Sequence, residues 1–205
     1  MGKCKTRGWW LLLLGLLLVV IDQVIKVIVK TSMIPGVPVP VLGNWFQLVF
    51  VENAGMAFGM GSNAGVAVKC CLTVFRICLF GFLVWWISGL ARKKETPVGV
   101  LVGLTLITAG ALGNIVDSMF YGIIWPELMV DGAPFGFLFG KVVDMFWFPL
   151  IRNAAGECIF FKPVFNFADS CVTVGAFYLL LFQYRFFASG DKDDKDNKES
   201  SSPTK

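Results

Sequence analysis

Four stretches of the chain, residues 9–29, 66–90, 98–120 and 168–187, are almost wholly apolar. Each approaches the roughly 20 residues with which a helix crosses a hydrocarbon core of about 30 Å. Backbone N–H and C=O groups find no water in such a core, so segments of this kind fold as helices and dictate the rest of the architecture. Composition agrees, with 56% hydrophobic and 16% charged residues and a mean hydropathy of +0.71. The expected class is an all-α membrane protein with a small β element. The first stretch follows Lys3, Lys5 and Arg7 as a secretory leader does, but no small-residue cleavage site follows it. Asp22-Gln23-Val24-Ile25-Lys26 continues its helix, so it reads as an uncleaved span.

Cytoplasmic flanks collect Lys and Arg, which orients the four spans. Lys3, Lys5 and Arg7, then Arg92-Lys93-Lys94, then Arg185 fall on one side of a four-span arrangement. Both termini are then cytoplasmic, and residues 30–65 and 121–167 lie outside. Lys69 and Arg76 sit inside the second span: Lys69, near its outer end, is expected to snorkel, and Arg76 to face the bundle or a wet cavity. In the first outer segment, turn residues from Pro35 to Gly43 precede the aromatic and β-branched residues 44–52, which predicts strands and a small sheet on the outer surface. In the second, the aromatic and glycine-rich residues 135–140 and 145–149 suit the headgroup level. Residues 1–188 read as one integral-membrane domain and residues 189–205 as a disordered charged tail. The six cysteines include no C-x-x-C and read as buried free thiols.

The chain has no histidine, which excludes Ser-His-Asp and Cys-His hydrolases and imidazole metal sites. The formal charge of +4 comes from basic residues beside apolar runs, not from a basic face for nucleic acid. The aspartates before the tail are Asp22, Asp117, Asp131, Asp144 and Asp169, and each ionisable group near hydrocarbon needs a reason to be there. Asp22, Lys26, Asn53, Asn114, Asp117, Asp144 and Asp169 all fall toward the outer leaflet. Asp22 and Lys26, four apart, form a helical ion pair. Asn114 and Asp117, three apart after Gly110 and Gly113, form a polar clasp on a close-packed helix.

Asp144 and Asp169 have no cation at helical spacing. One reading is a surface salt bridge between Lys141 and Asp144. The other is a carboxylate pair that shares one proton and works as base and acid around a water, chemistry that needs no histidine. Two rivals stand beside it. A transporter or channel subunit would use Asp22, Lys26, Arg76 and Asp117 as a polar path, although residues 77–91 are uncharged. A Ser/Lys peptidase would pair Lys69 with Ser62.

These residues resemble the lipoprotein signal peptidases, the type II signal peptidases of bacteria. The resemblance rests on five motifs in order: Asp22-Gln23-Val24-Ile25-Lys26, Asn53-Ala54-Gly55-Met56-Ala57-Phe58-Gly59, Gly113-Asn114-Ile115-Val116-Asp117, Val142-Val143-Asp144 and Phe165-Asn166-Phe167-Ala168-Asp169. It implies four transmembrane helices with an extracytoplasmic β-cradle and a long extracytoplasmic loop. It implies a membrane aspartyl endopeptidase of the bacterial cytoplasmic (inner) membrane that cleaves signal peptides from diacylglyceryl-prolipoproteins, with membrane lipids around it and globomycin-type lipopeptides as inhibitors. Asp144 and Asp169 match the family's catalytic aspartates, and Asp22, Lys26, Asn53, Gly55, Asn114, Asp117 and Asn166 its supporting positions. No cofactor or metal is implied. The chain departs from the pattern at Ser118, where most members have Arg, which leaves the partner of Asp117 to come from elsewhere, with Arg76 a candidate. It departs again in an insertion over residues 122–141, which contains Asp131.

Overall fold

A computed structural model describes residues 2–54, 66–153, 158–160 and 162–187, with side chains from residue 8 onward. The leucine-rich first stretch lies within α1 (Gly2–Ser32) and the second forms α2 (Val66–Arg92). The third forms α3 (Val98–Val116), which runs on through one π-helical turn (Asp117–Tyr121) into a short α4 (Gly122–Ile124). Among the described residues, three helical segments are thus long and apolar enough to cross a membrane: Gly8–Ser32, Val66–Arg92 and Val98–Ile124. Their outer surfaces carry exposed Leu12, Leu16, Val20, Phe75, Phe82 and Trp85, as an apolar medium requires.

The fourth stretch departs from expectation. Helix α5 (Phe167–Phe182) has 16 residues, about 24 Å at 1.5 Å per residue. It ends because Gln183 leaves helical geometry (φ −118°, ψ 7°) and folds its amide back to donate to Tyr178 Oη at 3.1 Å. Residues 184–187 form a separate helical turn. Gly8 and Trp9 share a cavity with Ala91 and Arg92, and Gly99 lies against Tyr178 and Gln183. The start of α1, the α2–α3 turn and the end of α5 therefore lie at one end of the bundle.

The other end carries the sheet. Strand β1 (Val39–Leu42) pairs antiparallel with β2 (Phe46–Asn53), which realises the expected strands, and β2 pairs antiparallel with β3 (Val142–Trp147). Beyond β3, Ile151–Arg152 (β4) and Cys158–Phe160 (β5) form a separate hairpin, and β6 (Val164–Phe165) returns to pair with β3. The sheet order is β1-β2-β3-β6. Phe148, among the aromatics that suit the headgroup level, packs between neighbouring rings, with centroids 4.7 Å apart for Phe46 and Phe148 and 5.7 Å for Phe148 and Phe165. Residues 138–140 dock on the π-helical turn: Leu138 donates to Met119 O (3.3 Å) and Gly140 to Ser118 O (2.9 Å). Gly136 and Gly122 let their backbones touch, an approach that a Cβ on either would block.

Two apolar cores enclose a polar layer. Leu83, Leu90, Val100, Leu101, Leu104 and Leu179 fill the first end of the bundle, while Val29, Phe50, Tyr121, Leu128, Val143 and Met145 join α1 to the sheet. Between them lie the buried polar residues Asp22, Lys26, Lys69, Asn114, Asp117, Ser118, Asp144 and Asn166. Cysteine burial is mixed. Cys171 is buried and Cys158 half-buried, but Cys70, Cys71 and Cys78 are exposed on the outer side of α2, where an apolar medium accepts a thiol as readily as a core does.

Glycine sets the approach of α3 to α5. A Cβ at Gly113 would stand 2.6 Å from Asp22 Oδ2 and 3.1 Å from Ala168 Cβ. Gly113→Ala is therefore expected to push Asp22 off its partners and to destabilise the fold by about 1–3 kcal/mol, the range for overpacking. Its melting temperature in detergent, compared with that of Gly81→Ala at an open position, tests this.

Candidate active site

The site is built around the first turn of α5. Asn166 caps that helix: its Oδ1 accepts from Asp169 N (2.9 Å), and its own backbone N–H donates to Asp169 Oδ2 (3.3 Å), a reciprocal capping box. Both amide hydrogens of Asn166 point the other way, to Asp144 Oδ1 (2.6 Å) and Asn114 Oδ1 (3.1 Å). One asparagine thus holds both Asp144 on β3 and Asp169 on α5.

Each carboxylate has a second donor. Asp144 lies opposite Val51 in the sheet, and Asn53, two residues along β2 and so on the same face, donates to Asp144 Oδ2 (2.8 Å). Asn114 on α3 donates to Asp169 Oδ1 (2.8 Å). The orientation of that amide follows from chemistry, because its oxygen faces Lys26 Nζ at 2.9 Å and an ammonium can only donate. Asp144 is 1% exposed. Burial, followed by the nearby charge of Asp169, pushes its carboxyl up to about 7, against the Asn53 and Asn166 hydrogen bonds that favour the anion.

Below the pair, Lys26 Nζ donates to Asn114 Oδ1 and forms ion pairs with Asp22 (2.8 Å) and Asp117 (2.7 Å). Asp22 Oδ1 also accepts from Ala168 N (2.9 Å) at the positive end of α5. The expected Asp22–Lys26 pair is present, and Asp117 finds its cation in Lys26 on α1. Gln23 donates to Asp117 Oδ1 (2.8 Å) and to Gly113 O (3.2 Å) while accepting from Tyr121 Oη (3.0 Å). Neither Gln23 nor Tyr121 was singled out from the sequence, although an amide between Asp22 and Lys26 in an apolar helix is itself a signal.

Two expectations change. Lys141 pairs with Glu52 (3.1 Å) and not with Asp144, because Asp144 faces the bundle while Lys141 precedes β3 at its rim. Lys69 does not snorkel: it is 0% exposed and donates to Ser118 Oγ (3.1 Å), because residues 138–140 close over that end of α2, where Thr73 reaches Leu138 O (3.3 Å). Ser62, the other member of the Lys69–Ser62 alternative, lies outside the described residues, as does Gly55. Asp131 is exposed in the segment over residues 122–141, whose outer turn is tied to α1 by Lys30–Glu127 (2.9 Å). Among the described residues, no group of three or more Cys, Asp or Glu side chains is spaced to hold a metal ion. Chemically, the arrangement is two neighbouring carboxylates on neutral donors, one of them resisting ionisation.

The family model for signal peptidase (SPase) II matches residues 14–185. A lipoprotein signal peptidase of Porphyromonas gingivalis is 42% identical over 210 residues, covering 92% of this chain and 91% of its own. One from Amoebophilus asiaticus is 35% identical over 188 residues, covering 85% and 78%. Two solved structures described as bacterial membrane enzymes share the fold, with TM-scores of 0.57 and 0.58 at 23% and 25% identity, over 95% and 83% of this chain and 94% and 90% of theirs. With that match running through α1, the sheet and α5, the chain belongs to the signal peptidase II family.

Proposed function

We propose that the chain is an aspartyl endopeptidase that cuts the signal peptide from diacylglyceryl-modified prolipoproteins on the N-terminal side of the lipidated cysteine. The observation that carries this reading is the double hold of Asn166 on Asp144 and Asp169. Asp144, which keeps its proton to about pH 7, serves as the acid and polarises the scissile carbonyl. Asp169 serves as the base and takes a proton from the attacking water. Water oxygen bonds to the carbonyl carbon, the C–N bond breaks, and the proton returns to the departing amine. Asn53, Asn114, Asn166, Asp22, Lys26 and Asp117 hold the two carboxylates in place, and Gly55 belongs to the same supporting set by its motif.

Residues 1–188 act as one unit in this reading. Its helices form four spans of the bacterial cytoplasmic membrane, α5 being completed by the turn at residues 184–187, with both termini cytoplasmic. The polar layer then lies at the outer leaflet, where the substrate's lipid anchor brings the scissile bond. Globomycin-type lipopeptides compete for the same place. The test is cleavage of a diacylglyceryl-modified prolipoprotein peptide beside its unlipidated form, in detergent or bilayer. Cleavage of the lipidated peptide at the bond before its cysteine is expected, with the unlipidated form slower by at least tenfold. Equal rates on both would remove the lipid from the recognition, and no cleavage of either would end the peptidase reading.

A further inference from the structure

From the end of the bundle opposite the sheet, a cleft of about 610 Å³ runs between α1, α2 and α3, within the size range of sites that hold small ligands. Leu12 and Gly15 of α1, Phe80 and Ile87 of α2, and Ala109 and Leu112 of α3 line it. The hydroxyls in its wall give their protons to their own helices: Ser88 to Val84 O (2.7 Å), Thr105 to Leu101 O (2.7 Å) and Thr108 to Leu104 O (2.8 Å). Such a wall suits a hydrocarbon chain and offers a polar ligand little. The mouth differs. Among the described residues that line the cleft, Arg92 alone is charged. A second hollow of about 310 Å³, lined by Trp85, Trp86 and Lys93, shares Ser88 and Arg92 with it, so the two meet at the last turns of α2.

Charge decides what belongs there. Among the described residues at this end, Arg92, Lys93, Lys94 and Arg185 stand against one acid, Glu95, and all five are exposed. A ligand with an apolar chain and a negative head satisfies both wall and mouth. A signal helix does not: in the orientation proposed above it would bring its own basic end to the same basic mouth. Tryptophan at headgroup depth and basic pockets between spans are features that receive anionic lipid heads. We propose that the cleft binds an anionic glycerophospholipid, with an acyl chain between α1, α2 and α3 and the phosphate at Arg92 and Lys93. The site lies at the opposite end of the bundle from the Asp144–Asp169 pair, and it stands whether or not the chain cuts peptides.

The test is titration of the detergent-solubilised full chain with phosphatidylglycerol and with phosphatidylcholine of the same acyl chains, bound lipid being counted by native mass spectrometry. Wild type is expected to bind phosphatidylglycerol at least about tenfold more tightly, and Arg92→Gln/Lys93→Gln to lower that affinity by about 25-fold, roughly fivefold for each basic residue. Lys162→Gln, an exposed change at the sheet end, is expected to leave it unaltered. Ser88→Phe, which narrows the cleft from an exposed position, is expected to weaken both lipids and keep the preference. Equal binding of the two lipids by wild type, wild-type affinity in Arg92→Gln/Lys93→Gln or in Ser88→Phe, or an equal loss in Lys162→Gln overturns the proposal. Displacement of the lipid by a prolipoprotein signal peptide also overturns it and gives the cleft to the substrate helix. If Ser88→Phe does not fold, Arg92→Gln/Lys93→Gln, changed only at exposed positions, carries the test. The expected titration in a chain that cleaves no peptide supports the lipid site and counts against the peptidase reading alone.

Discussion

Asp144→Asn and Asp169→Asn are each expected to lower cleavage of the lipidated peptide by at least ~10³-fold, within the range that acid–base groups contribute. The substitution is close to isosteric, so the scaffold survives. Asn at 144 still accepts from Asn53 or Asn166 through its oxygen, and Asn at 169 still accepts from Asn114. What each loses is a titratable proton. Melting temperatures near that of wild type beside the lost activity separate chemistry from folding, and robust turnover by either variant would end the dyad. The pH dependence has a defined sign. Burial and the charge of Asp169 hold the Asp144 proton to about pH 7, so the acid is present below that value and lost as pH rises through it. Activity is therefore expected to fall on the alkaline side of about 7. It falls again in acid as the base takes up a proton, a bell whose two values belong to the pair and not to either residue. A profile flat through both limbs would exclude proton sharing.

What was legible beforehand follows the reach of each interaction along the chain. The Asp22–Lys26 pair spans one helical turn, so spacing reveals it. Asp144 and Asp169 stood out because charge is scarce in an apolar chain and neither had a helical partner. The links that make them a site cross elements and leave no spacing signal: Asn166 reaches from the cap of α5 to β3, and Lys26 from α1 to Asn114 and Asp117 on α3. Lys69 failed for a related reason. Snorkelling assumes open water at the end of the helix, whereas residues 138–140, docked on the π-helical turn, close that end and put Ser118 within reach. The sheet was half legible. Strand β2 has turn residues before it and is rich in aromatic and β-branched residues, while β3 and β6 were hidden in aromatic density that suits a membrane interface and a cross-strand stack equally well. The end of α5 turns on a single side-chain contact, Gln183 to Tyr178, beyond the resolution of a hydropathy pattern.

Lys26→Met is expected to be the most damaging substitution outside the dyad. Methionine matches the length of the lysine stem but supplies none of its three donors, and it strands two buried carboxylates that are 1% and 0% exposed, Asp22 and Asp117. Removing one partner of a buried ion pair costs about 3–5 kcal/mol, a large share of the roughly 5–15 kcal/mol that holds a protein folded. Arginine does not repair it: the three acceptors converge on one nitrogen, which suits a compact ammonium and not a planar fork. A second change distinguishes charge from shape. In Lys26→Met/Asp117→Asn only Asp22 remains ionised, still bonded to Ala168 N–H at the start of α5, so part of the lost stability returns. Thermal unfolding of the single and double variants in detergent measures this. A Lys26→Met protein that melts with wild type would mean that the carboxylates of α1 and α3 find their compensation elsewhere, and the triad would lose its place as the support beneath Asn114 and the pair above it.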